Sequence, residues 1–156
     1  MSFHEINPPV PANSYDRVYA NDPGVPRRTI SASMQFEYPL TAEIITSQET
    51  FAVTDQLARA MTDAGLTGFG VSDIITTTIA AWVDDPTTIG EIPPMRCLDI
   101  WGIPLEHDLG LRAKDSELIV SERAYGLICT RNPSLYESSR DIDEHGNTIW
   151  RFPSGD

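Results

Sequence analysis

Residues 51–61 read FAVTDQLARAM, and 67 residues later residues 118–128 read LIVSERAYGLI. Both runs have one layout: a short apolar stretch, a hydroxyl residue, an acid, then apolar residues at helical spacing. In the first, Phe51 to Val53 are extended, Thr54 caps a helix and Asp55 sits at the positive end of its dipole. Leu57, Ala60, Met61 and Ala64 then make one apolar stripe, which Gly65 ends. In the second, Leu118 to Val120 are extended, Ser121 is the cap, Glu122 opens the first turn, and Ala124, Leu127 and Ile128 form the stripe. Asn132 and Pro133 stop it. A strand that runs into a helix must fold back to bury both apolar faces, so the chain is read as two strand-cap-helix units, about 51–65 and 118–132, with the two helices on one sheet.

The intervening sequence supplies the remaining strands. ISASMQFEYPL, residues 30–40, alternates strictly, with Ile30, Ala32, Met34, Phe36, Tyr38 and Leu40 on one face. DIITTTIAAWV is rich in β-branched residues and reads as one strand closed by the turn DDPTTIG. MRCLDIWGI is a further strand, and RDIDEHGNTIWRF reads as two strands about a turn at Gly146. The expectation is an α+β fold, a single domain at 29–156 with a mainly antiparallel sheet. Residues 1–28 hold five prolines and no periodicity, and read as an extended N-terminal arm.

Composition narrows the function classes. With 23 Asp and Glu against 11 Lys and Arg, the formal charge is −12, which opposes phosphate backbones and anionic membranes and favours a cationic protein partner. No run approaches the roughly 20 apolar residues of a bilayer span, and the opening residues MSFHEINPPVPANSYDRVY carry no signal-sequence pattern, so a cytoplasmic location is expected. In that compartment Cys97 and Cys129 are read as free thiols.

Chemical motifs are sparse. Asp141, Asp143 and Gly146 match three places of a calcium loop, but His145 and Phe152 stand at its fifth and twelfth. Cys97, His107, Cys129 and His145 lack zinc-ligand spacing. Cys97 or Ser121 with His107 has no nucleophile elbow around it. Asp84 with Asp85, or Glu106 with Asp108, offers paired carboxylates, but this small-hydrolase alternative needs flanking aromatics and a cleft, which a chain this short struggles to provide. GLTGFG has no phosphate-loop lysine. Trp82, Trp101 and Trp150 lie in strand-like runs and are read as core or edge residues, with one as a candidate exposed anchor. No enzyme, metal or cofactor is expected.

The charge is uneven. Between Thr29 and Met95 stand nine acids, Glu37, Glu43, Glu49, Asp55, Asp63, Asp73, Asp84, Asp85 and Glu91, against the single base Arg59. Such a surplus costs self-repulsion and suits steering toward a cationic partner. Asp84, Asp85 and Glu91, beside Trp82 and a proline turn, are the leading partner-binding residues, with Glu37 on the solvent side of its strand as the weaker one.

The runs FAVTDQLARAMTDAGLTGFGVSDI and DLGLRAKDSELIVSERAYGLI resemble helix-starting segments of the double-CXXCG and related families of bacterial polymorphic-toxin immunity proteins. The resemblance covers about residues 50–75 and 95–130. Both CXXCG elements of the namesake family are missing, and with them its zinc ribbon. The resemblance implies a small cytoplasmic protein that binds and neutralises a cognate toxin domain, and it carries over no catalytic residue. A non-catalytic adaptor is the alternative.

Overall fold

The computed structural model describes residues 2–21 and 26–150. Along the chain run β1 (Phe3–Ile6), β2 (Ala12–Tyr19), β3 (Thr29–Phe36), β4 (Ile44–Ser47), β5 (Thr50–Thr54), α1 (Asp55–Asp63), β6 (Phe69–Ile74), β7 (Thr77–Ile79), β8 (Met95–Ile100), β9 (Leu109–Leu111), β10 (Leu118–Ser121), α2 (Glu122–Arg131), α3 (Ser134–Ser138), β11 (Arg140–Ile142) and β12 (Thr148–Ile149). They form a five-stranded sheet in the order β12-β11-β1-β10-β9, a four-stranded sheet β4-β5-β8-β6 and a three-stranded sheet β2-β3-β7. All pairings are antiparallel except β3 with β7. The α+β fold expected from the sequence is the fold observed.

The two similar runs fold as two copies of one unit. In the four-stranded sheet β5 and β6 both pair with β8, so β5-α1-β6 is a β-α-β crossover split by a central strand. In the five-stranded sheet β10 and β11 both pair with β1, and β10-α2-α3-β11 repeats the design. The cap hydroxyls match in detail. Thr54 Oγ1 accepts from Leu57 N at 3.2 Å, and Ser121 Oγ accepts from Ala124 N at 3.2 Å. Each hydroxyl also donates to an acid that opens its hairpin, Thr54 to Glu43 at 3.3 Å and Ser121 to Asp108 at 2.6 Å. The first helical N–H donates to the carbonyl just before the central strand, Asp55 to Pro94 and Glu122 to Ser2, both at 3.0 Å.

Because Ser121 joins the buried Asp108, its hydroxyl does more than cap. Thr54→Ala is expected to cost about 1 kcal/mol and Ser121→Ala about 2 kcal/mol in denaturant unfolding. A Ser121→Ala protein that keeps its melting temperature but loses function would instead mark a nucleophile.

One apolar cluster lies between the five- and four-stranded sheets and takes in both helices, through Ile6, Val53, Leu57, Met61, Leu98, Leu118, Val120, Ala124 and Ile128 among others. A second, with Met34, Phe36, Ile45, Ala52, Met95 and Cys97, fills the space between the four- and three-stranded sheets. Successive strand residues point to opposite faces, so Val53 and Ala52 serve different clusters and the four-stranded sheet is buried on both sides.

Several expectations are corrected. The helices do not share one sheet; α1 packs on β5 and β8, and α2 on β1 and β10. Residues 1–28 are not a separate arm, because β1 is the central strand of the five-stranded sheet and β2 pairs with β3; residues 1 and 22–25 lie outside the described residues. DIITTTIAAWV is not one strand. It leaves the four-stranded sheet after Ile74 and joins the three-stranded sheet at Thr77, with Met34 N donating to Thr76 O at 2.9 Å as the chain changes sheets. The alternation of β3 stops at Phe36, so Tyr38 is exposed rather than inward. In α1 it is Ala58, not Ala60 or Ala64, that joins Leu57 and Met61 in the core. In α2 Cys129 joins Ala124 and Ile128 there, while Leu127 is only partly buried. All three tryptophans are exposed.

Candidate partner-binding face

Strand β7 runs parallel to β3 with Phe36 opposite Ile79, and Ala80 N donates to Phe36 O at 2.9 Å. The chain beyond each strand therefore emerges at the same end of the three-stranded sheet. Glu37 and Tyr38 follow β3 there, and the segment that carries Trp82 follows β7. Glu37 is half-buried and accepts from the Asn13 side chain, while Tyr38 is exposed.

The segment from Ala80 to Pro94 is long but fixed. Val83, Ile89 and Ile92 pack on the second apolar cluster together with Leu40. Asp85 caps a 3₁₀ turn at Pro86–Thr88, where its carboxylate accepts from Thr87 N at 3.0 Å and Thr87 Oγ1 at 2.6 Å. Those two bonds hold its carboxyl below the ordinary range. Gly90 takes φ of +77°, a conformation open to glycine, and turns the chain back toward β8. With these apolar residues turned inward, Trp82 (61 % exposed), Asp84, Asp85 and Glu91 face solvent.

Four of the five residues singled out from the sequence thus sit on one anchored loop, and the fifth, Glu37, lies at the same end of the sheet. Asp85 is partly spent on its own turn, which leaves Asp84 and Glu91 as its freer carboxylates. Tyr38 (59 % exposed) escaped the sequence reading. Its signal was Pro39, which disfavours continuation of a paired strand.

The groups considered for catalysis have other work. Ser121 is buried between its cap and Asp108. His107 Nδ1 accepts from Ile103 N at 2.8 Å and its ring meets Trp101 edge-on, so it does not serve Ser121. Burial pushes the Cys97 thiol up to about 11, which leaves it a poor nucleophile at neutral pH. Glu106 is exposed, whereas Asp108 turns inward and binds Arg123, Ser121 and Thr67, so they make no pair. Asp143 accepts from His145 N and Asn147 N, as a hairpin turn requires; Phe152 lies outside the described residues. Among the described residues no group of three or more His, Cys, Asp or Glu is placed to hold a metal, and no helix is long and apolar enough to cross a membrane.

Neither a family model, nor a curated protein, nor a solved structure matches this chain.

Proposed function

We propose that the protein is a binding inhibitor, an immunity protein that occupies and neutralises a basic toxin domain in the cytoplasm. The observation that carries the reading is an anchored loop that exposes Trp82 together with Asp84, Asp85 and Glu91. An aromatic anchor beside like charges suits recognition of a cationic surface, the acids steering encounter and the indole burying on contact. A loop fixed by Val83, Ile89 and Ile92 loses little further freedom on binding.

Co-expression with the toxic domain encoded beside its gene tests the reading. The wild-type protein should restore growth, and Trp82→Ala should weaken binding by about ten-fold or more, the loss of an interface anchor, without lowering the melting temperature. Growth arrest with the wild-type protein present would reject the proposal.

A further inference from the structure

A pocket of about 550 Å3 opens beside the acidic loop, between residues 40–43, Pro93 and Pro94, the first turn of α1, and Asn132. Leu40 lines the pocket and packs on the apolar cluster that anchors Val83 and Ile89, and Pro93 and Pro94 of the pocket wall end the acidic loop. The volume falls within the range of ligand-binding pockets.

The internal repeat explains why there is space here. At the second position of α2, Arg123 lays its guanidinium on Asp108, at 2.9 and 2.7 Å, and on the carbonyl of Gly65 at 2.9 Å. The matching place in the second unit is thereby filled by the chain itself. The second position of α1 is Gln56, exposed, whose side chain makes no hydrogen bond among the described residues. Glu43, the counterpart of Asp108, is held instead by Arg131 from the far end of α2, at 2.9 and 2.8 Å. The space over Gln56 stays open.

The chemistry of the lining selects its occupant. Its charges are already matched within the chain, Glu43 by Arg131 and Asp55 by Arg59 at 2.9 Å and Arg96 at 3.4 Å. Each charge of the lining therefore has a partner of opposite sign within the chain, and neither a cation nor a carboxylate finds an unmatched counter-charge there. What remains is an apolar wall of Leu40, Ala42, Pro93 and Pro94 with the neutral amide of Gln56 at its edge. We infer that the pocket seats an uncharged aromatic side chain, a tyrosine or tryptophan, projected by the partner whose basic surface meets Asp84, Asp85 and Glu91. Aromatic side chains join a large apolar body to one polar handle, which is the mixture this lining offers. The inference rests on the reading of the adjoining loop as the partner surface.

The test uses the whole 15N-labelled protein and three probes: N-acetyl-tyrosinamide, N-acetyl-argininamide and acetate. The tyrosine amide should shift the backbone amide signals of Thr41, Gln56, Arg59 and Asn132 at roughly one-tenth the concentration that the arginine amide needs. Gln56→Trp, which fills the pocket from an exposed position, should remove the shift, leave the thermal transition in place and weaken partner binding by about ten-fold. A stronger response to the arginine amide or to acetate would overturn the inference, as would no response to the tyrosine amide. If the tyrosine amide binds but Gln56→Trp leaves partner binding unchanged, the pocket is a small-molecule site and the partner assignment falls. Loss of all partner binding in the wild type, with the tyrosine shift retained, would reject the immunity reading and not the pocket's chemistry.

Discussion

A chain lacking residues 1–7 should show no cooperative thermal transition by circular dichroism. Strand β1 pairs on one side with β10, Phe3 opposite Ser121 and Ile6 opposite Leu118, and on the other with β11, Phe3 opposite Ile142. Without it both neighbours face a gap with unpaired backbone groups, each costly when buried. Phe3 and Ile6 leave the core, and the Arg112 guanidinium loses the Glu5 carboxylate it holds at 2.8 Å in a largely buried pair. The same logic gives a graded version, in which Ile6→Ala, at a fully buried position, costs about 3 to 4 kcal/mol. A deletion variant with unaltered melting would return the N-terminal residues to the status of a dispensable arm.

The second large effect falls on Asp108. Its carboxylate accepts from Ser121 Oγ, from Thr67 N at 2.8 Å and Thr67 Oγ1 at 3.1 Å, and from the Arg123 guanidinium, tying together the bend before β9, the start of α2 and the turn after α1. Asp108→Ala leaves four donor groups without their acceptor. It should destabilise the protein by about 3 kcal/mol at neutral pH, a fall in melting temperature of roughly 6 to 12 °C for a chain of this size. Arg123 contributes less than its geometry suggests, since 57 % of its side chain is in water.

A pH signature separates this from a simple cavity. The Arg123 guanidinium beside Asp108, with the Ser121 and Thr67 donors, holds its carboxyl well below the usual carboxylate range. The Arg131 guanidinium lowers the Glu43 carboxyl as well. A carboxyl depressed by folding gives stability that is complete above its unfolded pKa, about 4, and is lost as pH falls toward the folded value. The gap between wild type and Asp108→Ala should therefore narrow below about pH 4. A gap independent of pH would assign the loss to packing alone.

The sequence made the two capped helices legible because capping is local: Thr54 and Ser121 accept from amides three residues on, and their neighbours supply the acid and the apolar stripe. The α+β class followed from the same periodicities. The anchored loop was half legible, since proline and paired acids mark a turn, but its fixation by Val83, Ile89 and Ile92 depends on a cluster assembled from five strands. The role of β1 was hidden. FHEI is short, Glu5 reads as a solvent residue until Arg112 is placed beside it, and its partner strand lies more than a hundred residues away. The pocket over Gln56 was equally out of reach, because it exists only where residues 40–43, Pro93, Pro94, the first turn of α1 and Asn132 come together.

The central claim is that Asp84, Asp85 and Glu91 steer a basic toxin domain onto the Trp82 loop. The most direct measurement is the association rate of the proposed partner, the toxin domain that the immunity reading expects beside the gene, followed across ionic strength for wild type and for the combined Asp84→Asn, Asp85→Asn, Glu91→Gln variant. For the wild type the rate should fall as salt rises, and the variant should associate about ten-fold more slowly at low salt with a flatter salt dependence. Equal association rates for the two proteins at every salt concentration would contradict the account.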